Sequence, residues 1–220
     1  MADSLYREPV AGVLADMYRQ AEQQNPRDPG FMGRFRALPP TASALELADA
    51  AEDVYMPVDP DTGTLAYSLV RAARPETVVE FGMSYGISTV HLAAALQDNG
   101  TGHVYTTELS TKKIASARQT FAAAGLDDRI TILEGDALQT LADVPGSIGV
   151  VLLDGWKDMY LPVLHALEPR LSPGALILAD NTSRDQLAPY LEYVRDPAHG
   201  FTSVGFPARK DDNIELSCRL

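Results

Sequence analysis

VVEFGMSYGIST, residues 78–89, decides the fold. Val78, Val79 and Phe81 belong to an apolar run that stops at Gly82, and a second glycine follows at Gly86. Next comes ISTVHLAAALQ, which has no turn residue and reads as a helix. Strand, tight glycine turn and helix together form the opening unit of an α/β sheet. Glycines at such a turn let backbone approach a ligand, and the following helix points its N-terminal amides at it. Ser84 and Ser88 add hydroxyls suited to an anionic group such as a carboxylate. Glu80, inside the strand, is placed to accept from a cationic amine. The glycine spacing is not the G-x-G-x-x-G of dinucleotide folds.

Outward from this unit the pattern repeats. Strands are expected at TVVEF (77–81), HVYTTE (103–108), RITIL (129–133), IGVVLLD (148–154) and ALILAD (175–180). Helical patterns separate them: TKKIASARQTFAAAG, ALQTLAD and a segment around MYLPVLHALEPRL, where Pro162 suits the first turns. Continuous apolar strands alternating with helices predict a parallel sheet covered on both faces. FTSVGF, the polar turn PARKDDN and IELSCRL read as a C-terminal antiparallel hairpin. Ile214, Leu216 and Cys218 would share one face of it, which makes Cys218 a core residue. The predicted fold is therefore α/β: a doubly wound, mostly parallel seven-stranded sheet with N-terminal helices.

Upstream, residues 1–24 read as an amphipathic helix through Val10, Val13, Leu14, Met17, Tyr18 and Ala21. PRDPGFMGRFRALPP (26–40) is dense in Pro and Gly and reads as a loop. Its Arg27, Arg34 and Arg36 are taken as solvated charges, with an anionic substrate as the alternative. Helices are expected at ALELADAAED and TGTLAYSLVRAA.

Net charge is −12 over 220 residues, which disfavours phosphate backbones and anionic lipid as partners. The single cysteine forbids an internal disulfide, and no long apolar span occurs, so a cytoplasmic, single-domain protein is expected. None of His91, His103, His165 and His199 has metal-ligand spacing with another.

Glu108 closes the second strand, where an acid accepts from a ribose diol. Asp136 and Ala137, in LEGDA after the third strand, would meet the adenine. Amine, carboxylate and adenosine together describe S-adenosylmethionine better than NAD. Strand four ends at Asp154 and strand five at Asp180 and Asn181. If the strands are adjacent, these side chains meet at one edge as an oxygen-only set, which favours Mg²⁺, Mn²⁺ or Ca²⁺. The alternative is that these acids merely cap the following helices.

DGWKDMYLPV (154–163) with LADN (178–181), and EFGMSYGIST (80–89), resemble the magnesium-dependent catechol O-methyltransferases. MPVDPDTGTL (56–65) and YLEY (190–193) also have counterparts there, and the chain ends resemble the caffeoyl-CoA branch of the same superfamily. The resemblance implies a Rossmann-like methyltransferase fold, with residues 56–220 as the donor-binding core and 1–55 as a helical lid and substrate region. It implies that Asp154, Asp180 and Asn181 hold Mg²⁺ and that Lys157 is the general base. Gly82, Ser84, Gly86, Ser88, Glu108 and Asp136 would surround the methyl donor, backed by Met56 and Val58, with Trp156 along the adenine. Asn181, Lys157 and Glu192 would meet a catecholic acceptor. A homodimer is a further expectation. The animal enzymes have His where Gly155 stands and a gatekeeping Trp where Val54 stands, and the Pro that follows their Asp-Asn pair has no counterpart within 183–185. A metal-independent methyltransferase and a non-catalytic donor-binding protein are the rival readings.

Overall fold

The computed structural model describes residues 3–24, 29–39, 41–209 and 212–220. The N-terminal part holds α1 (Val10–Gln23), α2 (Pro29–Ala37), α3 (Ala44–Ala50) and α4 (Pro60–Ala73). The sheet region follows as β1 (Thr77–Phe81), α5 (Ile87–Asn99), β2 (His103–Glu108), α6 (Thr111–Ala124), β3 (Ile130–Glu134), α7 (Ala137–Thr140) and β4 (Ile148–Leu153). It continues with α8 (Tyr160–Leu167), β5 (Leu171–Ala179), α9 (Ala188–Arg195), β6 (Phe201–Arg209) and β7 (Asp212–Arg219). Strand order is β3-β2-β1-β4-β5-β7-β6. The first five strands are parallel, and β7 runs antiparallel to both β5 and β6. The order reverses between β1 and β4, which opens a crevice at the carboxyl edge of the sheet. Among the described residues no helix is long and apolar enough to cross a membrane.

The central strands of the sheet are buried on both faces. On one side α1, α4, α5 and α6 pack over Val78, Val104, Val150, Leu152 and Leu178. On the other, α7, α8 and α9 cover Val79, Val151, Leu153 and Ile177. Helix α5 is buried almost all round, from Ile87 to Leu96, because it lies under a further helical layer.

Three expectations need correction. Residues 29–37, read as loop, form α2. Proline is tolerated in the first turn of a helix, so Pro29 opens this one and does not break it. Arg27 lies outside the described residues; Arg34 and Arg36 are exposed, Arg34 in an ion pair with Asp53. The N-terminal helix begins only at Val10, preceded by a short 3₁₀ turn at Ser4–Tyr6. Cys218 is half-buried, not core. Both faces of β7 are enclosed: Ile214 is buried on the apolar face, Glu215 and Ser217 are buried on the other, and Arg195 of α9 donates to both oxygens of Glu215 at 2.8 and 2.6 Å.

His91 of α5 is buried between α1 and α4. Its Nε2 lies 3.3 Å from the Tyr18 hydroxyl, and Nδ1 has no partner among the described residues. Burial pushes its pKa from the ordinary 6.5 down to about 4. Between those values the unfolded chain takes up a proton that the folded one refuses, so stability falls as pH drops below 6.5. The full loss is about 3 kcal/mol. Urea titrations at pH 7 and pH 4.5 should show a pH-dependent loss about 2 kcal/mol smaller in His91→Gln than in the parent. Equal losses would contradict a neutral buried imidazole.

Candidate active site

β1 is flanked by β2 and β4, with Phe81 paired to Thr107 and to Leu153. The chain then turns through Gly82 (φ 98°) and Gly86 (φ 93°), a backbone region that glycine alone adopts at little cost. A Cβ on Gly82 would lie 2.6 Å from the Gly155 backbone, and one on Gly155 would lie 2.5 Å from the Phe81 ring. The turns after β1 and β4 therefore touch backbone to backbone. Phe81 occupies the room a side chain at position 155 would need, which accounts for glycine there.

The donor end of the cleft is built on this turn. Glu108, at the tip of β2, accepts from the amides of Ser84, Leu109 and Ser110, each at 2.8 Å. Ser84 sits at φ 51° to make its bond. Glu80 is fully buried; Thr89 and Thr106 donate to one of its oxygens at 2.5 Å each, and the other has no partner among the described residues. Burial pushes its pKa up, against the hydroxyls of Ser88, Thr106 and Thr89. A carboxylate oxygen left over in the core suits a cationic amine. Val58 is buried and Met56 is exposed; with Met83, Ser84 and Ser88 they line a small cavity at the turn. Tyr55 stacks on Tyr85 at 4.2 Å, and the Tyr85 hydroxyl donates to the Glu52 carbonyl at 2.7 Å. Segment 52–58 thus lies across the glycine turn. Asp136 is exposed and caps α7 through the Leu138 amide at 2.9 Å, beside buried Ala137. Sequence reading missed Lys113, buried on α6, which donates to the Ser84 hydroxyl at 3.2 Å. Burial pushes its pKa down.

The other end is formed by β4 and β5. Leu153 pairs with Ala179, so Asp154 and Asp180 emerge one residue beyond the pairing on neighbouring strands. The Asp154 amide donates to the Phe81 carbonyl at 2.9 Å and the Asp180 amide to the Leu153 carbonyl at 3.0 Å. Asp180 is 2% exposed. Asn181 follows in a left-handed conformation, φ 60°, and its amide nitrogen donates to Asp212 at 2.9 Å. Lys157 stands on a 3₁₀ turn, Lys157–Met159, that follows half-buried Trp156. Its ammonium donates to Asp154 at 3.2 Å and to the Tyr160 hydroxyl at 2.7 Å. Tyr160 in turn donates to the Asp180 carbonyl at 3.0 Å. Glu192 lies exposed on α9, and no hydrogen bond joins it to these residues.

Burial drives the Asp154 pKa up to about 7; Lys157 opposes the rise, and the charges of Asp180 and Glu80 add to it. Among the described residues no cluster of three or more His, Cys, Asp or Glu side chains forms a ready metal cage. The set at the β4–β5 tips is instead two carboxylates and one amide, all hard oxygen donors. Hard oxygen donors of this kind are the ones a divalent cation such as Mg²⁺ takes.

Known proteins resemble this chain in both sequence and fold. A family model described as a methyltransferase domain matches residues 79–182, from β1 to just past Asn181. Catechol O-methyltransferase B of Danio rerio is 32% identical over 177 residues, covering 75% of this chain and 66% of that protein. The chain thus spans just under two thirds of that relative's length. Catechol O-methyltransferase of Sus scrofa is 31% identical over 140 residues, 60% of this chain and 74% of that one. In fold, the O-methyltransferase from Bacillus cereus in complex with SAH superposes with a TM-score of 0.68 at 20% identity, over 94% of this chain and 97% of that one. The chain belongs to the superfamily of catechol and caffeoyl-CoA O-methyltransferases, class I S-adenosylmethionine-dependent methyltransferases.

Proposed function

We propose that this protein transfers a methyl group from S-adenosylmethionine to one hydroxyl of a vicinal diphenol, and that it does so with a divalent cation. One observation carries the reading. Asp154 and Asp180 leave adjacent parallel strands in register, and Lys157 is hydrogen-bonded to the first of them.

A phenol has a pKa near ~10, so its reactive anion lies about 4 kcal/mol uphill at neutral pH. A divalent cation supplies Lewis acidity there, lowering the pKa of hydroxyls that reach it. Asp154, Asp180 and Asn181 would hold that cation. Lys157 takes the hydroxyl proton, steadied by Tyr160. At the donor end Glu108 would accept from the ribose and Glu80 from the amine, while Ser84, Ser88 and Val58 shape the pocket. Segment 52–58, tied by Tyr55 and Tyr85, makes the N-terminal helices the roof of the cleft. The small Val54, where the animal enzymes carry a gatekeeping Trp, suits an acceptor bulkier than simple catechol.

The test is direct. With labelled donor, methylation of a catecholic acceptor should disappear in excess chelator and return on adding Mg²⁺. A monophenol lacking the second hydroxyl should be a poor acceptor. Undiminished turnover in chelator would refute the cation requirement.

A further inference from the structure

The start of β7 reaches back to the β4–β5 tips. Asp212, the first residue of β7, turns one oxygen toward Asn181 Nδ2 at 2.9 Å. Its other oxygen accepts from the Ser183 amide at 3.3 Å and from its neighbour Asn213 at 2.9 Å. The Thr182 amide donates to the Asn213 carbonyl at 2.9 Å, so the whole 181–183 loop is strapped to the start of β7. An ionised carboxylate only accepts hydrogen bonds, whereas a primary amide both donates and accepts. Against Asp212, Asn181 can therefore present only its NH₂ side. That leaves its carbonyl oxygen as the group turned away from the hairpin.

We infer that Asp212 is a positioning residue for cation binding: it fixes the amide of Asn181 so that oxygen, and not nitrogen, is offered at the β4–β5 tips. The inference rests on the proposed cation site and adds to it a residue from a different part of the chain. Groups behind a ligand that set its orientation commonly change metal affinity by about 10- to 100-fold when altered. Asp212 acts on a ligand that has a wrong face to show, since the NH₂ of an amide cannot bind a cation.

Asp212→Asn is nearly isosteric and can still accept from the amides of Ser183 and Asn213. It offers Asn181 an NH₂ group, and two NH₂ groups cannot bond to each other. Asn181 must then turn its oxygen to the hairpin and its nitrogen to the tips. Titration of the full chain with Mn²⁺, followed by electron paramagnetic resonance of the free ion, reads this without any turnover. The expected result is binding weakened about 10- to 100-fold in Asp212→Asn, with donor affinity unchanged by calorimetry. The double variant Asn181→Asp with Asp212→Asn should regain most of the loss, because a carboxylate at 181 accepts from the new NH₂ and still faces the cation with oxygen. Repeating the titration in high salt separates orientation from charge. A simple charge effect of Asp212 shrinks with screening, and a misdirected amide does not. If the parent binds Mn²⁺ and Asp212→Asn binds it equally well, or loses only what salt removes, the inference is overturned. If the parent itself does not bind Mn²⁺, the cation reading fails and the inference falls with it.

Discussion

Asp154→Asn is expected to make the cation-free protein more stable and the enzyme inactive. Burial, with Asp180 and Glu80 nearby, raises the Asp154 pKa to about 7 from an ordinary 3.8, even against Lys157. Between those values the folded state holds a proton that the unfolded state has released. The cost of ionising the folded carboxyl grows as pH rises from 4 and is complete above 7. It amounts to about 4 kcal/mol at most. Asparagine keeps the shape and removes the ionisation. At pH 8 in chelator, calorimetry should show the variant about 2–4 kcal/mol more stable, a midpoint rise of about 5–10 °C. Near pH 4 the gain should largely vanish, since the carboxyl is then protonated in the folded state and titrating in the unfolded one. In saturating Mg²⁺ the variant's kcat/KM should fall by about 10³-fold or more, as expected when a group acting on the reacting oxygens is lost. A variant that is inactive and also less stable at pH 8 would mean that Asp154 serves as the partner of Lys157, not as a strained acid awaiting a cation.

Lys157→Met should lower kcat by about 10²- to 10⁴-fold, the usual contribution of a proton acceptor. Donor affinity should stay within about threefold, because Lys157 touches Asp154 and Tyr160 and none of the groups around Ser84 and Glu108. Lys157→Arg separates two roles. Guanidinium keeps the positive charge and does not give up its proton in proteins. If Lys157 accepts the proton, the arginine variant is as slow as the methionine variant. Substantial activity with arginine would assign the lysine a fixed-charge role instead. Single-turnover measurements with preloaded donor distinguish either outcome from slow product release.

The legible parts of this molecule were those whose chemistry is written locally. The strands from β1 to β4 fall within a residue of their apolar runs, since a buried parallel strand has no polar face to blur its ends. Asp154, Asp180 and Asn181 could be grouped from sequence because adjacent parallel strands share an edge, and the Leu153–Ala179 pairing puts the ends of β4 and β5 side by side. Helix α2 was hidden by Pro29, Gly30 and Gly33, which count as breakers in a window yet are tolerable at a helix start or on an exposed face. Asp136 illustrates a different limit: a carboxylate at a strand end also caps the helix that follows, and here it does. Lys113, Tyr160 and Asp212 were out of reach because their meaning depends on partners far along the chain or across the sheet: Ser84, the Asp180 carbonyl and Asn181. Tyr160 did stand inside the stretch that marked the site, but its hydroxyl gains a role only once β5 is beside it. Cys218 was misjudged because burial fades along the apolar face of β7: Ile214 is buried in the core, whereas Cys218, near the end of the strand, is only half-buried.

The central claim is that the tips of β4 and β5 grip one divalent cation where the acceptor is deprotonated. Anomalous diffraction from crystals soaked with Mn²⁺, donor product and a catecholic ligand tests it most directly. The expected map has a single strong peak in contact with the carboxylates of Asp154 and Asp180 and the amide oxygen of Asn181, with both ligand hydroxyls turned to it. A catechol seated beside Lys157 with no peak at those three oxygens, or a peak elsewhere on the molecule, would contradict the account.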